Sequence, residues 1–207
     1  MNVGISLICH AATLATRRAA FPLDEPLDAQ GQGKAASLCN ALRRVDVAMT
    51  SPAIRAQQTA AALRLDAIVD PMLADLDCGC WAGRSMEEVE ADEPGSLAAW
   101  MSRTDGAPHG GESVEALITR TACWLDTASR LQGRIVAVTH ASILRAALVT
   151  VLGAAPQAFW RIDVGPLCRL HLNGRGGVWT LRSIGALRAR SADDGPARQA
   201  LFDAPSP

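Results

Sequence analysis

Short apolar segments alternate with amphipathic segments three times along the chain, and this alternation restricts the fold more than any other feature. Each apolar segment has the length of a buried strand, and each amphipathic segment has apolar residues at helical spacing. The predicted strands are residues 3–8, 45–51 and 133–140, and the predicted helices are residues 31–44, 51–65 and 141–153. Such an alternation is typical of a mostly parallel sheet with helices on both faces, a three-layer α/β/α fold.

The rest of the chain predicts an edge, an insertion and a tail. The segments "WRIDVG", "CRLHLNG" and "GVWTLRSI" resemble strands joined by glycine turns, so they predict an antiparallel edge of the sheet. Residues 84–130 interrupt the alternation and predict a helical insertion that acts as a lid. Residues 1–190 therefore form one predicted domain, whereas residues 191–207 lack periodicity and predict a disordered tail.

Charge and cysteine content narrow the class of partner and the compartment. The 207 residues carry 20 lysines and arginines against 21 acids, so we expect neither nucleic acid nor a membrane as partner. The six cysteines are scattered through the chain, which favours free thiols in a reducing compartment. The first arginines follow the apolar N-terminal run instead of preceding it, unlike a secretory signal, so we expect a cytoplasmic protein.

Polar side chains follow all three predicted strands at the point where each strand ends. His10 comes directly after the first strand, Arg55 lies just beyond the second, and His140 ends the third. Ser51 also ends the second strand, but the Ser-Pro pair that it begins predicts a helix N-cap. Because ligands bind outside the carboxyl ends of the strands in open α/β sheets, we expect the histidines and the arginine to share one site.

Five segments between residues 3 and 184 resemble motifs of the histidine phosphatase superfamily, also called the phosphoglycerate mutase-like family. "LICHAAT" is similar to the family's Arg-His-Gly motif, with His10 as its histidine. "TSPAIRAQQTA" resembles the Ser-Pro-x-x-Arg-Ala-x-x-Thr segment around Arg55, and "VAVTHASILRAAL" resembles the second-histidine motif around His140. "LADLDCGCWAGRS" resembles the loop of the acid, and "PHGGES" the Gly-Glu-Ser segment. The short chain is more similar to the family's phosphatases than to its mutases.

The resemblance implies hydrolysis of a small phosphate monoester through a phosphohistidine, without a metal or another cofactor. His10 would be the nucleophile, because a neutral imidazole can attack phosphorus and divide one displacement into two easier steps. Arg55 and His140 would stabilise charge on the phosphoryl oxygens. Asp75 stands at the position of the family's general acid, and Glu112 in the Gly-Glu-Ser segment is the alternative proton donor.

The first motif departs from the family in a way that lowers the charge of the pocket. Cys9 stands where the family has an arginine, and losing one preorganised donor typically costs about 10²–10³ in rate. Arg17 or Arg18, one loop downstream, is the candidate replacement, and the alternative reading is a solvated basic pair. Thr13 offers its hydroxyl either to the phosphate or to a local backbone hydrogen bond.

Three alternatives to a phosphatase stay open at the level of sequence. The chain could transfer a phosphoryl group as the family's mutases do, or it could bind phosphate without turnover. Cys9, Cys78 and Cys80 could also bind a soft metal ion together with His10, because thiolates and imidazoles are the ligands that zinc prefers. In each case, the chain could act as a homodimer.

Overall fold

The computed structural model describes residues 2–42 and 44–189, so the tail predicted at residues 191–207 lies outside the described residues. The strands are β1 (Asn2–Cys9), β2 (Val47–Thr50), β3 (Ile68–Val69), β4 (Gly133–Thr139), β5 (Cys168–Arg175) and β6 (Val178–Ala186). They form one six-stranded sheet in the order β3-β2-β4-β1-β5-β6. The strands β1 to β4 are parallel, and β5 and β6 form the predicted antiparallel edge.

Helices cover both faces of this sheet. They are α1 (Leu14–Arg17), α2 (Ala29–Ser37), α3 (Ile54–Ala62), α4 (Met86–Asp92), α5 (Ser96–Ser102), α6 (Val114–Ala128) and α7 (Ala141–Leu152). Ile8 of β1 packs in the core formed with α2 and α3, whereas Ile5 and Leu7 pack in the core formed with α6 and α7. This confirms the three-layer α/β/α fold. None of the helices in the described ranges is long and apolar enough to span a bilayer.

The register of the parallel strands brings the candidate site together. Cys9 of β1 pairs with Thr139 of β4, so His10 and His140 are the next residues on two adjacent strands. The end of β2 lies on the other side of β4, where the Ser51 amide donates to a β4 carbonyl at 2.9 Å. Main-chain hydrogen bonds therefore set the spacing of the three strand ends.

Among the elements that differ from the sequence prediction, two do so for clear local reasons. The helix predicted at residues 31–44 begins earlier, because the Asp28 carboxylate caps it by accepting the Gly31 amide at 2.6 Å. The strand predicted at residues 160–165 does not form, because its first residues belong to a 3₁₀ helix, Pro156–Arg161, whose first residue is a proline suited to starting a helix. Neither change alters the order of the layers.

The predicted insertion at residues 84–130 contains α4, α5 and α6. Trp100 of α5 is 5% exposed, and its ring lies 5.5 Å from Trp81, 5.6 Å from His109 and 4.5 Å from Trp160 between ring centroids. The helix α6 packs against α7. A cluster of aromatic rings therefore joins α5 to the rest of the molecule.

Candidate active site

The backbone around His10 determines which of its ring nitrogens is free. The His10 amide donates to the Thr139 carbonyl of β4 at 2.8 Å, and the His10 Nδ1 lies 2.7 Å from the Ala11 carbonyl oxygen. Because a carbonyl oxygen can only accept a hydrogen bond, Nδ1 carries the proton and Nε2 keeps its lone pair. Nε2 is therefore the nitrogen of His10 that is able to attack an electrophile.

The surroundings of His10 keep its imidazole neutral. Burial, together with the nearby His140 and Arg55, lowers the pKa of His10 to about 4. Water-poor surroundings disfavour the charged imidazolium, and neighbouring positive groups act in the same direction. The nucleophilic form of His10 therefore predominates at neutral pH.

This pKa leads to a prediction for the pH dependence of activity. We expect kcat/KM for an aryl phosphate to fall only as the pH drops through about 4, because protonation then removes the lone pair of His10. The measured profile must be corrected for the substrate phosphate, which titrates near pH ~6. If the corrected kcat/KM falls near pH 6.5 instead, at the ordinary pKa of histidine, the result would contradict the assignment of His10 as the nucleophile.

Arg55 presents a buried guanidinium to the same edge of the sheet. It lies in the first turn of α3 and is 3% exposed. Its Nη1 donates to the Leu23 carbonyl and its Nη2 to the Asp75 carboxylate, both at 2.8 Å. Its Nε is buried and has no partner among the described residues. Because an unsatisfied buried donor is costly, an oxyanion bound beside Arg55 would be stabilised.

Thr59 connects the helix of Arg55 to the strand of His10. Its Oγ1 accepts the Ala11 amide at 3.0 Å and donates to the Arg55 carbonyl at 2.7 Å. Thr59 itself is completely buried. One hydroxyl therefore fixes α3 against the end of β1 and holds the guanidinium near the imidazole.

Asp75 lies in the loop after β3, and its carboxylate has several partners. Oδ2 accepts from Arg55 and lies 3.1 Å from His140 Nδ1, while Oδ1 accepts the Ser142 hydroxyl at 2.5 Å. Burial alone would raise the pKa of Asp75, but His140 and Arg55 hold it well below its usual value. Asp75 is therefore an anion in the free protein.

His140 is oriented by Ser51, a residue that the sequence had assigned to helix capping. His140 Nε2 lies 2.7 Å from Ser51 Oγ, and its ring centroid lies 5.2 Å from that of His10. The helix α3 begins at Ile54 with Ala53 as its N-cap, so the capping prediction for Ser51 was wrong. The later start of the helix leaves the Ser51 hydroxyl beside the imidazole.

Thr13 and Arg17 have local partners on and beside α1. Thr13 caps α1 by accepting the Thr16 amide at 3.2 Å. Arg17 donates to the Asp28 carboxylate at 2.5 Å, and its side chain is 44% exposed. The structure does not bring these two side chains into hydrogen-bond contact with His10 or the other site residues in the described ranges.

Glu112 supports the loop that carries Asp75. Its two carboxylate oxygens accept from Arg120 at 2.9 and 2.7 Å. Arg120 also donates to the main-chain carbonyl of Asp75 at 3.2 Å. Asp75 is therefore the carboxylate that contacts the site histidine, and Glu112 braces it through Arg120.

The cysteines do not gather as the metal alternative requires. Burial raises the pKa of Cys9 and also raises that of Cys78 to about 12, so both thiols are protonated, and Cys80 is exposed. In the part of the chain that the structure describes, candidate metal ligands converge only at the two site histidines and Asp75, with their ligand atoms within 4.8 Å. The charge of that carboxylate is already balanced by Arg55.

Comparison with known proteins places the chain in one family. The histidine phosphatase superfamily (branch 1) matches residues 5–186. Phosphoserine phosphatase 1 of Hydrogenobacter thermophilus is 29% identical over 171 residues, which cover 75% of this chain and 79% of that protein. A glucosyl-3-phosphoglycerate phosphatase of Mycobacterium tuberculosis is 30% identical over 155 residues, which cover 67% of this chain and 69% of that protein.

The solved structures agree on the fold. The α-ribazole phosphatase of Shigella flexneri matches with a TM-score of 0.80 at 23% identity, over 92% of this chain and 100% of that one. Three longer mycobacterial relatives match over 129 residues, and the chain spans only 34% of their length. The likeness therefore covers nearly all of this chain but only part of those longer proteins.

Proposed function

Because the chain belongs to the histidine phosphatase superfamily, branch 1, we propose that it hydrolyses small phosphate monoesters through a phosphohistidine formed on His10. The observation that carries the proposal is the neutral imidazole of His10, which has a free Nε2 and lies beside the buried guanidinium of Arg55. A nucleophile and an oxyanion donor are the two groups that phosphoryl transfer needs. Relatives named as phosphatases support hydrolysis as the reaction.

The reaction has two displacements at phosphorus. In the first, His10 Nε2 forms a bond to phosphorus while the bond to the ester oxygen breaks, and the leaving oxygen takes up a proton. In the second, water attacks the phosphohistidine and gives a proton to the Asp75 carboxylate, the P–N bond breaks with its electron pair returning to His10 Nε2, and inorganic phosphate leaves. Arg55 and His140 stabilise the charge on the phosphoryl oxygens in both steps.

In this proposal, Asp75 supplies the proton to the leaving group after substrate has bound. The pKa of Asp75 is low in the free protein because His140 and Arg55 favour its anion. A phosphate that engages Arg55 withdraws part of that stabilisation and adds negative charge beside the carboxylate. Substrate binding therefore raises the pKa of Asp75 toward the range in which it can carry a proton.

The leaving group tests the role of Asp75. We expect Asp75→Asn to lower kcat/KM for alkyl phosphates by about 10²-fold or more and to affect aryl phosphates much less, because aryloxide ions barely need a proton. Glu112→Gln is the matched control, since Glu112 contacts Arg120 and should not discriminate between the two substrate classes. Equal losses of Asp75→Asn on both classes would contradict a role as general acid.

A panel of phosphate monoesters tests the proposed function as a whole. We expect the purified protein to release inorganic phosphate, and we expect mass spectrometry of the denatured reaction mixture to find phosphohistidine in the peptide of His10. Transfer of the phosphoryl group to a second hydroxyl of the substrate would instead identify mutase chemistry. Binding of phosphate without turnover would identify a binding protein.

The proposal extends to substrate selection and to compartment. Within a single domain of residues 1–190, we propose that the insertion at residues 84–130 acts as the lid that selects the substrate. The buried Trp100 supports this, because it anchors α5 through aromatic contacts with the body of the protein. The cytoplasm is the proposed compartment, and it is supported by six cysteines that are all free.

A further inference from the structure

The candidate site offers little positive charge for a phosphate dianion. Arg55 is the guanidinium at the strand ends, and Asp75 already accepts from it at 2.8 Å. His10 is neutral at physiological pH, since its pKa is about 4. A phosphoryl group held away from water needs donors and positive charge from the protein around it. A second cation close to the site would supply this charge.

Arg145 lies on the helix that begins at the site, and it shares a face with two residues in contact with the site. Ser142, three residues earlier, donates to the Asp75 carboxylate at 2.5 Å. Ala141, four residues earlier, has its backbone amide close enough to the Cys9 thiol to lower the pKa of that thiol. Residues three and four apart lie on the same helix face, so Arg145 leaves the helix on the face that carries Ser142 and Ala141.

The guanidinium of Arg145 is not committed to a carboxylate. In residues 2–42 and 44–189, the structure gives Arg145 no hydrogen bond and no ion pair, and its Nε is buried without a partner. Its contact is with the Phe159 ring, 5.7 Å from the guanidinium carbon. Burial lowers the pKa of Arg145, whereas the carboxylates of Asp163 and Asp75 act in the opposite direction. An arginine keeps its charge under these conditions.

We propose that Arg145 supplies the second positive charge of the phosphate pocket, in the space that the small Cys9 side chain leaves free. This inference rests on the proposed function. The sequence had suggested Arg17 or Arg18 for this charge, but Arg17 is paired with Asp28 on the surface. Arg145, by contrast, has no hydrogen bond or ion pair within the described residues, and its buried Nε is left without a partner beside the helix face of Ser142.

Removing the charge is the first test. Arg145→Met keeps most of the side-chain volume, and we expect it to raise the Kd of inorganic phosphate by about tenfold or more in calorimetry. We expect kcat/KM for an aryl phosphate to fall by a similar factor, and Arg145→Lys to regain part of both losses. An unchanged phosphate Kd in Arg145→Met would overturn the inference. Arg145→Gln gives the same test if the methionine variant does not fold.

Relocating the charge is the second test, and it separates charge from structure. In the Arg145→Met background, Cys9→Arg is expected to recover phosphate affinity and kcat/KM at least in part. In the otherwise unchanged protein, Cys9→Arg adds a second guanidinium beside the first, so we expect no gain. An equal gain from Cys9→Arg in both backgrounds would show that the two positions do not supply the same charge, and it would overturn the inference.

Arg169 provides the matched control. It lies on β5 opposite Ile8, and burial lowers its pKa without a contribution from any charged neighbour. We expect Arg169→Met to leave the phosphate Kd unchanged, with circular dichroism confirming that each variant is folded. If the unchanged protein hydrolyses no phosphate monoester, the proposed function fails. If the unchanged protein hydrolyses phosphate monoesters, and Arg145→Met has the same phosphate Kd and the same kcat/KM, this inference alone fails.

Discussion

His10→Ala is expected to abolish phosphate monoester hydrolysis, with a loss of about 10⁴-fold or more in kcat. In the proposed mechanism the imidazole forms the covalent intermediate, and alanine has no atom that can take up the phosphoryl group. The variant should fold, because the one side-chain hydrogen bond lost is the local one to the Ala11 carbonyl. Initial rates on an aryl phosphate and the thermal unfolding midpoint, measured on the same preparation, check both parts of the prediction.

His140→Ala is the control that separates the two histidines of the site. The His140 ring lies 5.2 Å from that of His10, close enough for either residue to be suspected as the nucleophile. We expect His140→Ala to be slow and still to form phosphohistidine at position 10, since it loses a donor and keeps the attacking nitrogen. A phosphohistidine found at His140 in the His10→Ala variant would reverse the assignment.

Arg55→Met is expected to produce the second large effect, a fall of about 10²–10³ in kcat/KM. In the proposed mechanism the guanidinium stabilises the phosphoryl oxygens, and it is also one of the three groups, with His140 and Ser142, that hold the pKa of Asp75 low. Its loss should therefore raise the pKa of Asp75 and move the ionisation of that carboxyl to higher pH. Steady-state kinetics over a range of pH measure both consequences.

Arg55→Lys shows whether charge alone is enough at this position. Arg55 donates hydrogen bonds from two nitrogens at once, to the Leu23 carbonyl and the Asp75 carboxylate. A lysine ammonium group cannot reproduce this planar, two-nitrogen geometry. We expect Arg55→Lys to recover only a small part of the loss. A lysine variant as active as the unchanged protein would mean that the guanidinium geometry has no role in phosphate binding.

The fold was largely predictable because its main units are local in sequence. Each of β1, β2 and β4 is an apolar run that is followed later by an amphipathic helix. Both patterns depend only on residues that are close together in the sequence. The strand β3 was missed, since it has two residues and both are exposed, which leaves no apolar alternation to detect. The strand predicted at residues 160–165 was wrong because a proline-initiated 3₁₀ helix competes with it.

The candidate site was predictable where a residue stands at a strand end, and less so elsewhere. His10, Arg55 and His140 follow the three strand ends, and the structure brings them together. Ser51 was misassigned because a Ser-Pro pair is equally a helix-start signal. Arg145 lies one turn inside α7, where the sequence pattern gives no reason to single out one side chain.

The pairing of Cys9 with Thr139 in the β1–β4 ladder separates two properties of the pocket. Alignment of the two imidazoles is inherited from the sheet, whose main-chain bonds do not depend on which side chain stands at position 9. The positive charge of the pocket, in contrast, comes from side chains around the strand ends, and these can be substituted without changing the main-chain hydrogen bonds. Single substitutions can therefore change the charge of the pocket, for substrates that differ in charge, while the main-chain register of His10 stays the same.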